Sequence, residues 1–185
     1  MASDNAAERL RSGRWTCASC SEEHGWPFDL GARAPGPWPY DEIMEPNSSL
    51  RTEGNFLSED FCVLDGEHFF VRALMEIPVQ VLEGPFGFGC WTTLSRANFD
   101  RYVDQFDEGS PPGQEPWWGW LSNGLADLAT EPIGVLVYPQ PDRRRPLLRV
   151  AEEDHPLAIA QRDGLSTEKM LDIFAHYGHA PAASE

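Results

Sequence analysis

The sequence predicts an α+β domain: a mainly antiparallel sheet with C-terminal helices and an N-terminal zinc-knuckle-like segment. Three observations lead there. Strand patterns crowd the middle of the chain and helical patterns close it, without the strand–helix–strand alternation that builds a parallel sheet. A Cys-x-x-Cys pair, Cys17 and Cys20, stands just ahead of a long irregular stretch. That stretch is rich in Pro, Gly and Trp, which pin a chain without building regular structure.

The elements follow in order. Residues 1–13 (MASDNAAERLRSG) are small and charged and read as a flexible N-terminal tail with a short helical tendency. Arg14-Trp15-Thr16-Cys17 reads as a short strand leading into the Cys-containing turn, and residues 21–46 as its irregular continuation. A helical turn is expected over residues 48–54. Phe61-Cys62-Val63-Leu64 and His68-Phe69-Phe70-Val71-Arg72-Ala73-Leu74 flank Asp65-Gly66, the strongest short signal for a tight hairpin. The second strand extends through 76–81, with Pro78 at an edge or bulge because it lacks a ladder donor. Gly84-Pro85 breaks it, and 87–94 forms a third strand.

Ser95 then suits a helix N-cap, and Phe99, Tyr102, Val103 and Phe106 share one face of a helix over 96–107. Residues 108–116 form a loop. Strands are expected at 117–121, 133–138 and 147–150, with residues 139–146 a hairpin-type loop between the last two. His155-Pro156 opens a helix near 156–163 that Gly164 ends. Ser166 caps a final helix whose Met170, Ile173, Phe174 and Tyr177 share a face. The domain therefore spans 14–177, its knuckle and Pro/Trp-rich segment occupying 14–46, and residues 178–185 read as a disordered tail.

Composition limits the function classes. In 185 residues, 30 Asp and Glu oppose 14 Lys and Arg, a formal net charge of −16. Phosphate binding is driven by cations that release counterions, so this balance argues against nucleic acid held through a basic surface. No apolar run reaches the roughly 18–20 residues of a membrane span, and the first ten residues carry no signal-peptide core, so a cytoplasmic location is expected. Thirteen of the cations are Arg and one, Lys169, is Lys. Arg suits fixed bidentate pairing, and coding bias explains the same count.

Four cysteines in such a chain read as thiols or metal ligands rather than disulfides. Cys17-Ala18-Ser19-Cys20 can offer two sulfurs to one tetrahedral ion, His24 follows four residues on, and Cys62 at the start of the hairpin can complete a Cys₃His zinc site. The alternatives are a knuckle that binds no metal and a redox pair, although a thioredoxin-like βαβ context is missing. An open site with Glu22 or Glu23 as base is the enzymatic version. No second catalytic motif accompanies it, and no catalytic residue is assigned. Cys90 reads as a buried packing residue. His68 reads as a surface histidine, His155 as a helix cap or core residue, and His176 and His179 as cations at a fraying helix end. Trp91, Trp117, Trp118 and Trp120 read as core, or as the lining of a pocket. Arg143-Arg144-Arg145 reads as pairing with the domain's own carboxylates or marking a contact surface.

Several blocks in a fixed order carry a resemblance: Trp15-x-Cys17-x-x-Cys20-x-x-x-His24; Asp60 to Arg72; Glu76-Ile77-Pro78-Val79; Gly89 to Ser95; and His155-Pro156-Leu157-Ala158-x-x-Gln161-x-x-Gly164-Leu165. Over roughly residues 14–177 the chain resembles the bacterial family called domain of unknown function 2199. The resemblance implies a small uncharacterised bacterial protein and brings no reaction, substrate or partner. Ser21 stands where the family commonly has Gly, and Cys90 where an aliphatic residue is expected. The reading that results is a non-enzymatic domain with structural zinc, acting through contacts with a protein partner. Its rivals are an acidic inhibitor or immunity-type protein that blocks a basic partner, with Asp41, Glu42, Asp104, Asp107, Glu108, Glu152, Glu153 and Asp154 on one face, and a zinc hydrolase.

Overall fold

The computed structural model describes residues 8–80 and 82–182. Residues 1–7 and 183–185 of the two expected tails, and Val81 at the end of the expected second strand, lie outside the described residues. The strands are β1 (Arg14–Thr16), β2 (Glu23–Gly25), β3 (Leu30–Gly31), β4 (Phe56–Leu57), β5 (Phe61–Leu64), β6 (His68–Pro78), β7 (Pro85–Leu94), β8 (Trp117–Leu121), β9 (Ile133–Tyr138) and β10 (Leu147–Val150). The helices are α1 (Arg96–Gln105), α2 (Pro156–Asp163) and α3 (Thr167–His176). The chain divides into two compact units, Gly31–Met75 with Phe88–Ala158, and Met1–Leu30 with Glu76–Gly87 and Ile159–Glu185.

The larger unit is built on a closed five-stranded barrel, which the expectation of an antiparallel sheet did not include. Strands β6 to β10 follow one another as a meander, and β6 also pairs with both β7 and β10. A meander reverses direction at every step, so its first and fifth strands run the same way and must close in parallel. That is the observed pairing, Leu74 with Leu147, and the Leu74 N–H donates to the Pro146 carbonyl at 2.9 Å. Closure leaves the ring without free edges.

Alternation along the strands fills the barrel. Val71, Ala73 and Met75 of β6 are buried, as are Trp117 and Leu121 of β8 and Val135 and Val137 of β9. Trp118 and Trp120 take the opposite face of β8 and are half exposed, so of the four tryptophans expected together only Trp91 and Trp117 are buried. β4 and β5 extend the sheet beyond β6. The β5–β6 hairpin turns at Asp65 and Gly66, both at positive φ (57° and 69°), as a turn of the I′ kind requires. Cys62, Leu57, Leu64, Phe70, Trp91 and Ala34 form a second apolar cluster.

Ser95 caps α1 by accepting from the Asn98 N–H, and α1 buries Phe99 and Tyr102. Phe61 meets Phe99, Tyr102 and Phe106 edge-on at 5.9, 6.0 and 4.8 Å between ring centroids. Asp60 ties two loops by accepting from Asn47 Nδ2 and Arg145 Nε. Arg143 pairs with Asp107 at 3.3 Å. The His155 ring accepts from the Leu157 N–H and so caps the start of α2, while His68 is exposed.

The smaller unit holds the β1–β2 hairpin, a helical stretch at residues 8–11, and α3. The Ser166 hydroxyl accepts from the Lys169 N–H and caps α3, which buries Met170, Ile173 and Phe174. Phe174 stacks on Trp15 at 5.4 Å and meets Phe28 and Phe86 edge-on. Residues 178–182, assigned to a tail from sequence, instead lie beside β1 in extended form: the Ala18 N–H donates to the Ala180 carbonyl at 2.9 Å and the Ala182 N–H to the Thr16 carbonyl at 2.7 Å. Arg9 also donates to the Ala182 carbonyl. Among the described residues no helix is long and apolar enough to cross a membrane.

Candidate metal centre

The site begins with the turn between β1 and β2. Their register, Thr16 opposite Glu23 and Trp15 opposite His24, leaves residues 17–22 to bridge the strands. The Cys17 N–H donates to the Glu22 carbonyl at 2.9 Å and the Ser21 N–H to the Cys17 carbonyl at 3.1 Å, which winds the segment into a knuckle. Inside it the Ser19 N–H points at Cys17 Sγ, 3.4 Å away. Ser21 takes a left-handed φ of 59°, the conformation that glycine adopts without a steric cost.

His24 reaches the same spot from β2, its Nε2 lying 3.3 Å from Cys20 Sγ. The fourth group comes from the far end of the chain. After α3 the His179 N–H donates to the Phe174 carbonyl at 2.7 Å and the Gly178 N–H to the Ala175 carbonyl at 3.1 Å, with Gly178 at φ 75°. These two bonds make a Schellman motif, with Gly178 as the left-handed residue after the helix and His179 next. The motif and the strand-like run of 178–182 together set His179 over the knuckle, with Nδ1 3.9 Å from Cys17 Sγ.

One ligand atom from each of Cys17, Cys20, His24 and His179 lies within 4.8 Å of the other three. With Zn–S near 2.3 Å and Zn–N near 2.0 Å, a tetrahedral ion needs ligand–ligand separations of roughly 3.3–3.8 Å, so the four have to close by about 1.5 Å at most. The imidazoles are held by aromatic packing. Phe28 lies 4.4 Å from the His24 ring and 5.4 Å from that of His179, and the two histidine rings meet edge-on at 5.6 Å. Cys17 is buried, the histidines are partly buried and Cys20 is exposed.

Electrostatics favour a metal-ready sulfur. The Cys17 thiol is lowered from 9.0 to about 7. The backbone N–H of Cys20 is the main cause, with Ser19, the Cys20 side chain and His179 in support and burial opposing them. The thiolate is the form that binds metal.

Cys62 is placed differently. It is wholly buried on β5 in the larger unit, opposite Leu57 and Phe70, and burial pushes its thiol up to about 12. It is not one of the four clustered groups, whose fourth member is His179. Cys90 is wholly buried as well. Glu23, one of the two candidate bases of an open site, pairs with Arg14 at 3.2 Å. In the sequence, Gly178-His179 after an amphipathic helix signals only a helix end, so residue types alone do not lead to His179.

A family model described as an uncharacterized protein conserved in bacteria, DUF2199, matches residues 16–165. The match contains Cys17, Cys20 and His24 and ends short of His179. No curated protein and no solved structure matches the chain.

Proposed function

The chain belongs to the DUF2199 family of uncharacterized bacterial proteins, and from that premise we propose that it is a non-enzymatic zinc protein whose ion is structural. The observation that carries the reading is the convergence of two sulfurs and two imidazole nitrogens, from the knuckle, β2 and the segment after α3, within 4.8 Å. A mixed sulfur–nitrogen set of four suits tetrahedral zinc. Four protein ligands fill the tetrahedron, which leaves no position for the activated water of a hydrolase. A site of this kind contributes folding free energy, because its ligands come together only in the folded chain.

The protein then acts through its surface, and the pair Trp118 and Trp120, half exposed side by side on β8, supports a protein contact there. Of the carboxylates that the inhibitor reading requires, Glu42 and Asp107 already pair with Arg33 and Arg143, which disfavours it. Elemental analysis of protein purified without added metal tests the proposal. One zinc per chain is the expected result. A content well below one, together with free reactivity of Cys17 and Cys20, overturns it.

A further inference from the structure

Resting on the zinc reading, we propose that Cys17 and Cys20 form a peroxide-sensitive clasp: oxidation of this pair to a disulfide expels the ion and releases His179 from it. Four features of the structure lead there. The two sulfurs sit on one four-residue turn, within 4.8 Å of each other. Their exposures differ, Cys20 being open to solvent and Cys17 buried. A small oxidant therefore reaches Cys20 first, and Cys17 is already in place to attack the oxidised sulfur. The other two thiols do not compete, because Cys62 and Cys90 are wholly buried in the larger unit and burial raises both. The remaining ligands are histidines, so loss of two thiolates leaves an ion with half its donors, both of them neutral.

The chemistry balances with a peroxide as oxidant. The Cys20 thiolate attacks one peroxide oxygen, an S–O bond forms, the O–O bond breaks and hydroxide departs. The Cys17 thiolate then attacks the Cys20 sulfur, the S–S bond forms, and the S–O bond breaks with loss of a second hydroxide. Two thiolates give up two electrons, one peroxide becomes two hydroxides that take up protons to form water, and the divalent ion leaves. A thiol reductant reverses the step and restores the ligands.

The site also shows what its loss releases. His179 is one of the groups holding 178–182 beside β1. Without the ion, that segment keeps its backbone bonds to residues 16, 18, 174 and 175, the Arg9 contact and the packing of the His179 ring against Phe28, and loses the bond from the His179 nitrogen to the metal.

The test uses the full-length reduced chain loaded with zinc, treated with one to several equivalents of hydrogen peroxide. Zinc release is followed with a chromogenic chelator and thiols by alkylation under denaturing conditions and mass spectrometry. The expected result is one zinc released per chain, loss of two alkylatable thiols mapped to a Cys17–Cys20 disulfide, and full reversal by dithiothreitol. A Cys62→Ala variant responds as the native chain does. In Cys20→Ser no intramolecular disulfide forms at Cys17. Zinc retained with four alkylatable thiols overturns the proposal, as does oxidation that maps to Cys62 or Cys90. A reduced chain that holds no zinc before peroxide is added overturns the underlying zinc reading instead, so the two failures are told apart by the metal content at time zero.

Discussion

His179 Nδ1 lies 3.9 Å from Cys17 Sγ although 162 residues separate them in the chain. Nothing about His179 in isolation marks it as a ligand. It follows the last helix, where a histidine is ordinarily read as a cation facing the helix dipole. What recruits it is the Schellman turn at Gly178 and the strand-like run that follows, which carry the chain back along β1. A metal here would join the knuckle between the first two strands of the smaller unit to the segment after α3.

That relationship separates two ligand sets that the residue types alone leave equal. His179→Ala should weaken zinc binding by at least about tenfold, since loss even of an outer partner costs that much at such sites. Cys62→Ala should keep one zinc per chain and lose roughly 1 kcal/mol of stability from a small buried void. Competition with a chelator of known affinity reads the first outcome, and elemental analysis with chemical denaturation reads the second. The reverse pattern, zinc lost with Cys62 and kept without His179, rules out a site built on His179.

Ser21 carries a strain that glycine does not. At φ 59° a side chain costs about 1–2 kcal/mol. The position is exposed, so the change removes no buried contact. Ser21→Gly should raise the thermal midpoint by roughly 2–4 °C, less what the more flexible unfolded chain takes back. Calorimetry of the zinc-loaded pair checks the direction, and a lower midpoint for Ser21→Gly contradicts it.

Local signals were enough for most elements, and long-range pairing was not. The Asp65-Gly66 turn, the Ser95 and Ser166 caps and the alternation in β8 and β9 each act within a few residues, so their elements sit where the sequence predicts them. Barrel closure depends on one pairing between Leu74 and Leu147, which no local pattern encodes. The site divides in the same way. Cys17, Cys20 and His24 share one hairpin, and their spacing is itself the signal. The fourth position needed the fold, because Cys62 has suitable chemistry but points into a core, whereas His179 has an unremarkable sequence setting and lies over the knuckle.

Alkaline pH should destabilise the fold through its buried thiols. The Cys62 thiol is raised from 9.0 to about 12 and that of Cys90 is raised too, in both cases by burial. The folded state therefore holds these protons more tightly than the unfolded chain does. The stability they contribute is fully present below the unfolded thiol value near 9 and is lost as pH rises through about 12. Tyr102, raised mainly by burial, adds to the trend. Denaturation curves at pH 8 to 11 should show a steeper loss for the native chain than for Cys62→Ala. Equal slopes mean that Cys62 does not hold its proton as its burial requires.

Gly178 offers a way to disturb the site without removing a ligand. Its φ of 75° is what turns the chain out of α3 toward His179, and a Cβ there finds only Ser19 Oγ at 3.7 Å. The obstacle to a side chain is thus conformational rather than steric crowding. Gly178→Ala should cost about 1 kcal/mol through the left-handed conformation it imposes on alanine. Gly178→Asn should cost less, since asparagine accepts that conformation more readily. If the turn positions His179, zinc affinity should follow the same order, native tightest, then Asn, then Ala, with the ligands themselves untouched. Affinities that stay equal while stability falls mean that the turn serves the helix alone, and that another part of the chain holds His179 over the sulfurs.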